Sequence, residues 1–294
     1  MLRRALWAIT LIVCLFVPSF VLAQGDYLDV YIGKIKPEKM ADARAITKKM
    51  VDANHRFGGD TWIAMESMYG EGDTIMFVST RQDYSGIDKG SEAFMTALNK
   101  AYGQDGATKL FNDWEGCLRG SRNEFRKRRW DLSRKAPDPA SYAKFVGESR
   151  LLRTTAVHIR PGRVADFEAL LQDAKTAGEQ NPNTQPVLVS QVVEGGVGTT
   201  FYISALRSSL GGFDKNPSIR EILGEEGYRK FLQISADTIE GSESAIYRFS
   251  AELSNPPEEI RAAASDFWSP KPIVARSIKP KGVVEQAAEK QKQQ

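Results

Sequence analysis

The octapeptide IKPEKMAD fills residues 35–42, and IRPGRVAD fills residues 159–166. Both write an apolar residue, a basic residue, proline, two variable positions, an apolar residue, alanine and aspartate. The two phrases stand 124 residues apart. In each, proline ends a β-rich run and occupies the first turn of an amphipathic one, where its missing N–H costs nothing. A repeat of this length decides the fold class before any single side chain does.

Working outward, each copy reads β-α-β-β-α-β. YLDVYIGKI (27–35) and RTTAVHI (153–159) are strands by their β-branched and aromatic content. The helices that follow carry apolar stripes, Met40, Ala43, Ile46 and Met50 in one and Val164, Phe167, Leu170, Leu171 and Ala174 in the other. Hairpins come next, TWIAMESMYG (61–70) with TIMFVSTR (74–81), and VLVSQVVEGG (187–196) with TTFYISALR (199–207), joined by short Gly/Asp turns. The matching phrases YSGIDK (84–89) and LGGFDK (210–215) lead into a second helical region that is longer in the first copy. Gly120-Ser121 and Gly241-Ser242 close that region and precede last strands at 123–133 and 244–254.

One such unit makes a four-stranded antiparallel sheet with both helices on one face, leaving the other face bare. A bare apolar face must be buried. The sequence therefore predicts an α+β protein in which tandem ferredoxin-like units pack sheet to sheet as an intramolecular α+β barrel. The divisions are 24–133 and 150–254 for the two units and 134–149 for a Pro- and Ala-rich linker with a short helix. Residues 255–294 form a C-terminal helix and a mostly disordered basic tail.

The first 23 residues read as a signal peptide: MLRR, an apolar run, then Val21-Leu22-Ala23 with small-residue spacing. Removal would leave a periplasmic or secreted protein with no membrane span. The net charge of +3 is too small to imply a nucleic-acid partner. Beyond the leader one cysteine remains, Cys117, beside Trp114 on a helix, and it is expected as a small core residue.

The strand–basic-Pro-x-basic–helix opening, followed by hairpin, helix and strand, resembles the dimeric α+β barrel superfamily. Its members include antibiotic-biosynthesis monooxygenase-like, EthD-like and NIPSNAP-like domains. The resemblance covers residues 26–133 and 150–254 and implies that two units pair to enclose a barrel, here from one chain. It implies a small-molecule site, with a cofactor-free monooxygenase-like enzyme or an interaction scaffold as alternatives. Relatives that hold haem or metal do so at positions to which neither histidine of this chain maps, so no cofactor is expected.

No phosphate loop, nucleophile elbow or metal-ligand spacing is present. The candidate ligand-binding residues are therefore those placed to face a shared interior. His158 sits opposite Val157 and Ile159 in strand parity and looks into the barrel. Lys127, Arg129 and Arg248 share one face of the last strands and form either an anion-binding wall or a charged protective edge. Tyr31, Trp62 and Glu66 are candidate pocket walls, with Glu66 a base if buried. Because the copies differ at these positions, the site is expected in one half, with a small organic or anionic ligand. His55 is expected only to complete a helix end. Homo-oligomerisation stays open.

Overall fold

A computed structural model describes residues 25–269. The leader at 1–23 and the basic tail beyond Ser269 lie outside the described residues. The first half runs β1 (Tyr27–Ile35), a 3-10 turn (Pro37–Lys39), α1 (Met40–Phe57), β2 (Trp62–Tyr69), β3 (Thr74–Arg81), α2 (Ser85–Cys117) and β4 (Leu118–Arg128). A connecting helix α3 (Pro139–Glu148) leads to the second half. That half holds β5 (Leu151–Ile159), α4 (Val164–Gln180), β6 (Leu188–Glu194), β7 (Thr199–Arg207), α5 (Gly211–Asp214), α6 (Ile219–Thr238) and β8 (Ile239–Asn255). The described chain ends in α7 (Glu258–Ala263) and α8 (Ser265–Trp268).

The eight strands close into one barrel in the order β1-β3-β2-β8-β5-β7-β6-β4. Within it the halves have the same internal order, β4-β1-β3-β2 and β8-β5-β7-β6 with every neighbour antiparallel. The sheets meet edge to edge, through β2 with β8 and β4 with β6. Closure leaves no open edge, which solves the edge problem more completely than two stacked sheets would. Side chains tie the β2–β8 seam across a bulge: the Trp62 indole donates to the Leu253 carbonyl at 2.8 Å, and the Ala64 amide donates to Ser254 Oγ at 2.8 Å.

The last strands begin earlier than the sequence predicts. Helix α2 passes directly into β4 at Leu118, and α6 into β8 at Ile239, so the Gly-Ser pairs lie inside strands rather than ending helices. A second shared feature was not anticipated. Gly103 in α2 and Gly224 in α6 interrupt their helices with nearly the same dihedrals (φ 71, ψ 169 and φ 71, ψ 175). That region of backbone space is open essentially to glycine alone. Lys89 to Gly103 spans 14 positions and Lys215 to Gly224 spans 9, so the extra length of the first copy precedes this kink.

Val30, Ile32, Ile63, Met65, Met76, Leu206 and Phe249 point into the barrel and form one apolar cluster. Helices α3, α7 and α8 seal one barrel end, inserting Tyr142, Val146, Ile260 and Trp268 into that cluster. The Trp268 indole donates to the Gly147 carbonyl at 3.0 Å, locking the C-terminal helix onto α3. The 134–149 segment is thus more than a tether, because its helix caps the barrel. Two further clusters lie outside the barrel, between each half-sheet and its own helices.

Candidate functional site

The barrel interior is not where space remains. After its side chains and the capping helices are placed, about 110 Å³ is left, bounded by residues such as Val30, Met65, Arg126, Arg128 and Phe249. This overturns the expectation of a ligand inside the barrel: the inward positions carry large apolar residues, and Tyr142 and Ile260 close the end.

A much larger cavity, about 1030 Å³, lies on the other side of the first half-sheet, under α1 and α2. Strand parity builds it. In β1, Val30 and Ile32 face the barrel, so Asp29 and Tyr31 face the helices. In β3, Phe77, Ser79 and Arg81 take the same side, and in β2 Trp62 does. Helix α2 returns Phe94, Phe111 and Trp114 from above. The rings contact each other edge-on: Phe77 and Trp114 centroids are 5.8 Å apart, Trp62 and Phe94 5.7 Å, and Phe94 and Phe111 5.9 Å. Such tilted contacts stabilise aromatic walls beyond area burial. The Trp114 indole donates to the Tyr31 hydroxyl at 3.2 Å, and Trp114 packs beside buried Cys117. Burial pushes the Cys117 thiol upward, as suits a core residue rather than a nucleophile.

One end of the cavity is polar. Arg81 Nη1 and Nη2 donate to the two Asp60 oxygens at 2.8 and 2.7 Å, and Nη2 reaches Asp29 at 3.2 Å. The Arg81 side chain is 9 % exposed and Asp60 15 %. Gly90 of α2 lies over the guanidinium, and a Cβ there would come within 2.5 Å of Nη2. Burial raises the Asp29 pKa against the opposing pull of Arg81. For Arg81 itself burial acts downward, but Asp60 and Asp29 together hold it above its ordinary range. The arrangement is an aromatic slot with one fixed polar end, able to hold a flat organic molecule and orient a polar substituent.

In the second half the corresponding space is packed. Phe167 of α4 and Phe201 of β7 are fully buried, with centroids 5.2 Å apart, and Leu170, Val157 and Val189 close around them. The asymmetry expected from divergence of the copies is present in the packing.

Of the residues singled out from the sequence, Tyr31 and Trp62 line this cavity. Glu66 lies elsewhere, on β2, held in a two-pronged ion pair by Arg44 of α1, whose Nε donates at 2.8 Å. His158 does face the barrel side, where its Nδ1 lies 3.0 Å from Thr200 Oγ1. His55 ends α1 and its Nδ1 meets Arg261 at 3.0 Å, so Nδ1 accepts there. Lys127 and Arg248 are exposed on the outer face, and Arg129 spends its guanidinium on Asp131, Glu168 and Gln191. The basic residues that turn inward are their neighbours Arg126 and Arg128. Of the two alternatives for Lys127, Arg129 and Arg248, the inward wall does not form, and their strands are not edges either, since β4 pairs with β1 and β6 and β8 pairs with β2 and β5. Arg126 is neutralised by Glu124 at 2.7 Å, and Arg128 stacks on Tyr142 at 4.7 Å. Asp29, Asp60, Arg81 and Phe77 carried no sequence signal, because only the closed topology brings them together. Among the described residues no cluster has the composition of a metal site, and no helix is long and apolar enough to cross a membrane.

Comparison with known proteins shows the fold. No protein-family model matches the chain, and no curated protein matches it. Solved structures do. An anthrone oxidase-like protein aligns with 12 % identity and a TM-score of 0.51, over 79 % of this chain and 94 % of its own. A protein of Fusobacterium nucleatum, described as a candidate monooxygenase, gives 11 % identity and 0.49 over 76 % and 91 %. A mutant chlorite dismutase from Candidatus Nitrospira defluvii gives 13 % and 0.44 over 83 % and 98 %. The first of these likenesses agrees with the closed α+β barrel seen here and shows the fold alone, so function must be argued from the site.

Proposed function

We propose that this chain is an exported small-molecule-binding protein that holds a flat, largely apolar organic ligand in the helix-side cavity of its first half. The observation that carries the reading is the cavity of about 1030 Å³ walled by Tyr31, Trp62, Phe77, Phe94, Phe111 and Trp114. Pockets for organic ligands are typically about 300–1,000 Å³, mostly apolar, with a few fixed polar groups. Arg81, Asp60 and Asp29 are those groups. Export rests on the leader-like sequence of residues 1–23. Descent of both halves from one duplicated unit is supported by their common strand order and by the matching kinks at Gly103 and Gly224.

The test is a titration of 2-naphthol, a flat phenol, followed by quenching of Trp62 and Trp114 emission. Filling the slot with Ser79→Leu or Ser91→Trp should weaken binding about tenfold or more, a loss of about 1.4 kcal/mol. Equal affinity in both filled variants would reject this cavity as the site.

A cofactor-free oxygenase is the second reading, favoured by Asp29. A carboxylate on the slot wall whose pKa is raised by burial is a better general base than a solvated one. It would take an acidic proton from an activated CH2 of the bound substrate. The carbanion would pass its electrons to molecular oxygen and form a C–O bond. The hydroperoxide, once protonated, would lose water to leave a carbonyl, so that one oxygen atom ends in the product and the other in water. Oxygen consumption with anthrone, abolished by Asp29→Asn, would support catalysis; no consumption leaves binding as the function.

A further inference from the structure

The duplicated register exposes a charge imbalance in the second half. Arg207 ends β7 as Arg81 ends β3, and Arg153 stands on β5 where Asp29 stands on β1. The pairing registers make this explicit: Asp29 is opposite Ser79, two positions before Arg81, and Arg153 is opposite Ala205, two positions before Arg207. The hairpin registers, Ala64 with Phe77 and Val189 with Ile203, set Gln185 at the place of Asp60. Both carboxylates that neutralise the buried arginine in the first half are therefore missing in the second, and one is replaced by another arginine.

A third guanidinium joins them. Arg134 pairs its backbone with Val187, while Arg207 Nη1 donates to the Pro186 carbonyl at 3.4 Å and the Leu206 carbonyl at 2.6 Å. Arg134 and Arg207 are each 8 % exposed, and the Nε of each is buried without a hydrogen-bond partner. Arg153 is exposed, and its guanidinium and that of Arg207 lie over the Phe213 ring at 5.0 and 5.8 Å. Gly178 makes room for Arg134: a Cβ there would meet its Cδ at 2.0 Å. Burial lowers the pKa of both Arg134 and Arg207, and in Arg207 the charges of Arg153 and Arg134 add to it. Arginine does not give up its proton in a protein, so these charges stay. A buried charge without a partner is strongly destabilising.

We infer that Arg134, Arg153 and Arg207 form a site for an oxyanion, a carboxylate or phosphate group, which supplies the counter-charge that Asp29 and Asp60 supply in the first half. Planar guanidinium forks are suited to both groups. Entry is from the exposed Arg153 side, over Phe213. This site is separate from the aromatic slot, and neither depends on the other.

The test is thermal unfolding of the full chain with inorganic phosphate, succinate or chloride at one fixed ionic strength. At tenfold its Kd, an oxyanion multiplies the folding equilibrium about elevenfold, which for a chain of this size raises Tm by roughly 3–6 °C. Phosphate alone or succinate alone giving the rise identifies the group; chloride should give none beyond screening. Arg153→Asp restores the carboxylate of the first half, and it should raise the Tm of the unliganded protein and abolish the oxyanion response. Arg153→Ala, a change at an exposed position, should reduce the response and raise the unliganded Tm by less than Arg153→Asp, since it relieves the repulsion on Arg207 without supplying a counter-charge. The inference fails if no oxyanion exceeds chloride, or if both variants keep the wild-type response.

Discussion

Removing Asp60 probes the polar end of the slot most sharply. Asp60→Ala deletes both acceptors at 2.7–2.8 Å from an arginine whose side chain is 9 % exposed. What remains for Arg81 is the single Asp29 contact at 3.2 Å and an Nε that already lacks a partner. Breaking a buried pair by deleting one member costs about 3–5 kcal/mol. Because Asp29 stays and Asp60 is partly open to solvent, the expected loss is about 2–4 kcal/mol. That corresponds to a fall in Tm of roughly 4–16 °C for a chain of this size. Urea unfolding gives the number directly from the midpoint at constant slope. Adding Arg81→Met should recover part of the loss, since it removes the orphaned guanidinium, while Asp29, whose side chain is 30 % exposed, loses its contact to Arg81 but keeps access to solvent. A loss below about 1 kcal/mol, or a double variant that is worse than the single one, would refute the claim that the pair is buried and coupled.

Three further outcomes follow from the same geometry. Trp114→Ala should cost about 3–5 kcal/mol in urea unfolding and weaken 2-naphthol binding, because the residue is both core and wall. Gly103→Ala and Gly224→Ala should each cost about 1–3 kcal/mol by thermal unfolding, and by similar amounts, since both place alanine at φ near +71. Asp29 sets a pH dependence of unusual sign. Its folded pKa is raised above the ordinary 3.8, so the folded state holds the extra proton between the two values. Stability from this group is therefore full below 3.8 and falls as pH rises through the raised value. Urea midpoints measured across that window should decline in the wild type and decline less in Asp29→Asn.

The sequence carried the fold because the fold is written in periodicities. The two Pro-turned phrases, the apolar stripes of α1 and α4, and the hairpin turns each obey local rules that survive in any context. What escaped is set by tertiary closure. Whether Lys127 or Arg128 faces inward cannot be decided from a strand charged on both faces; it follows from which face meets α1 and α2. Tyr31 and Trp62 emerged because aromatic residues on strands are conspicuous. Asp29, Asp60 and Arg81 are scattered across 52 positions, and only the β1–β3 register and the turn before β2 join them. The helix at 139–148 reads as a linker because nothing in its composition reveals that Tyr142 and Val146 will stop a barrel.

Hydrogen exchange of the full chain, saturated with 2-naphthol and compared with the free protein, bears most directly on the placement of the ligand site. Slower exchange should appear in α2, over Ser85–Cys117, and in the facing strands β1 and β3. Helix α6 and the capping helices α3 and α7 should be unchanged. Protection confined to α3 and α7, or to α6, would put the ligand in the barrel or in the second half and contradict the account.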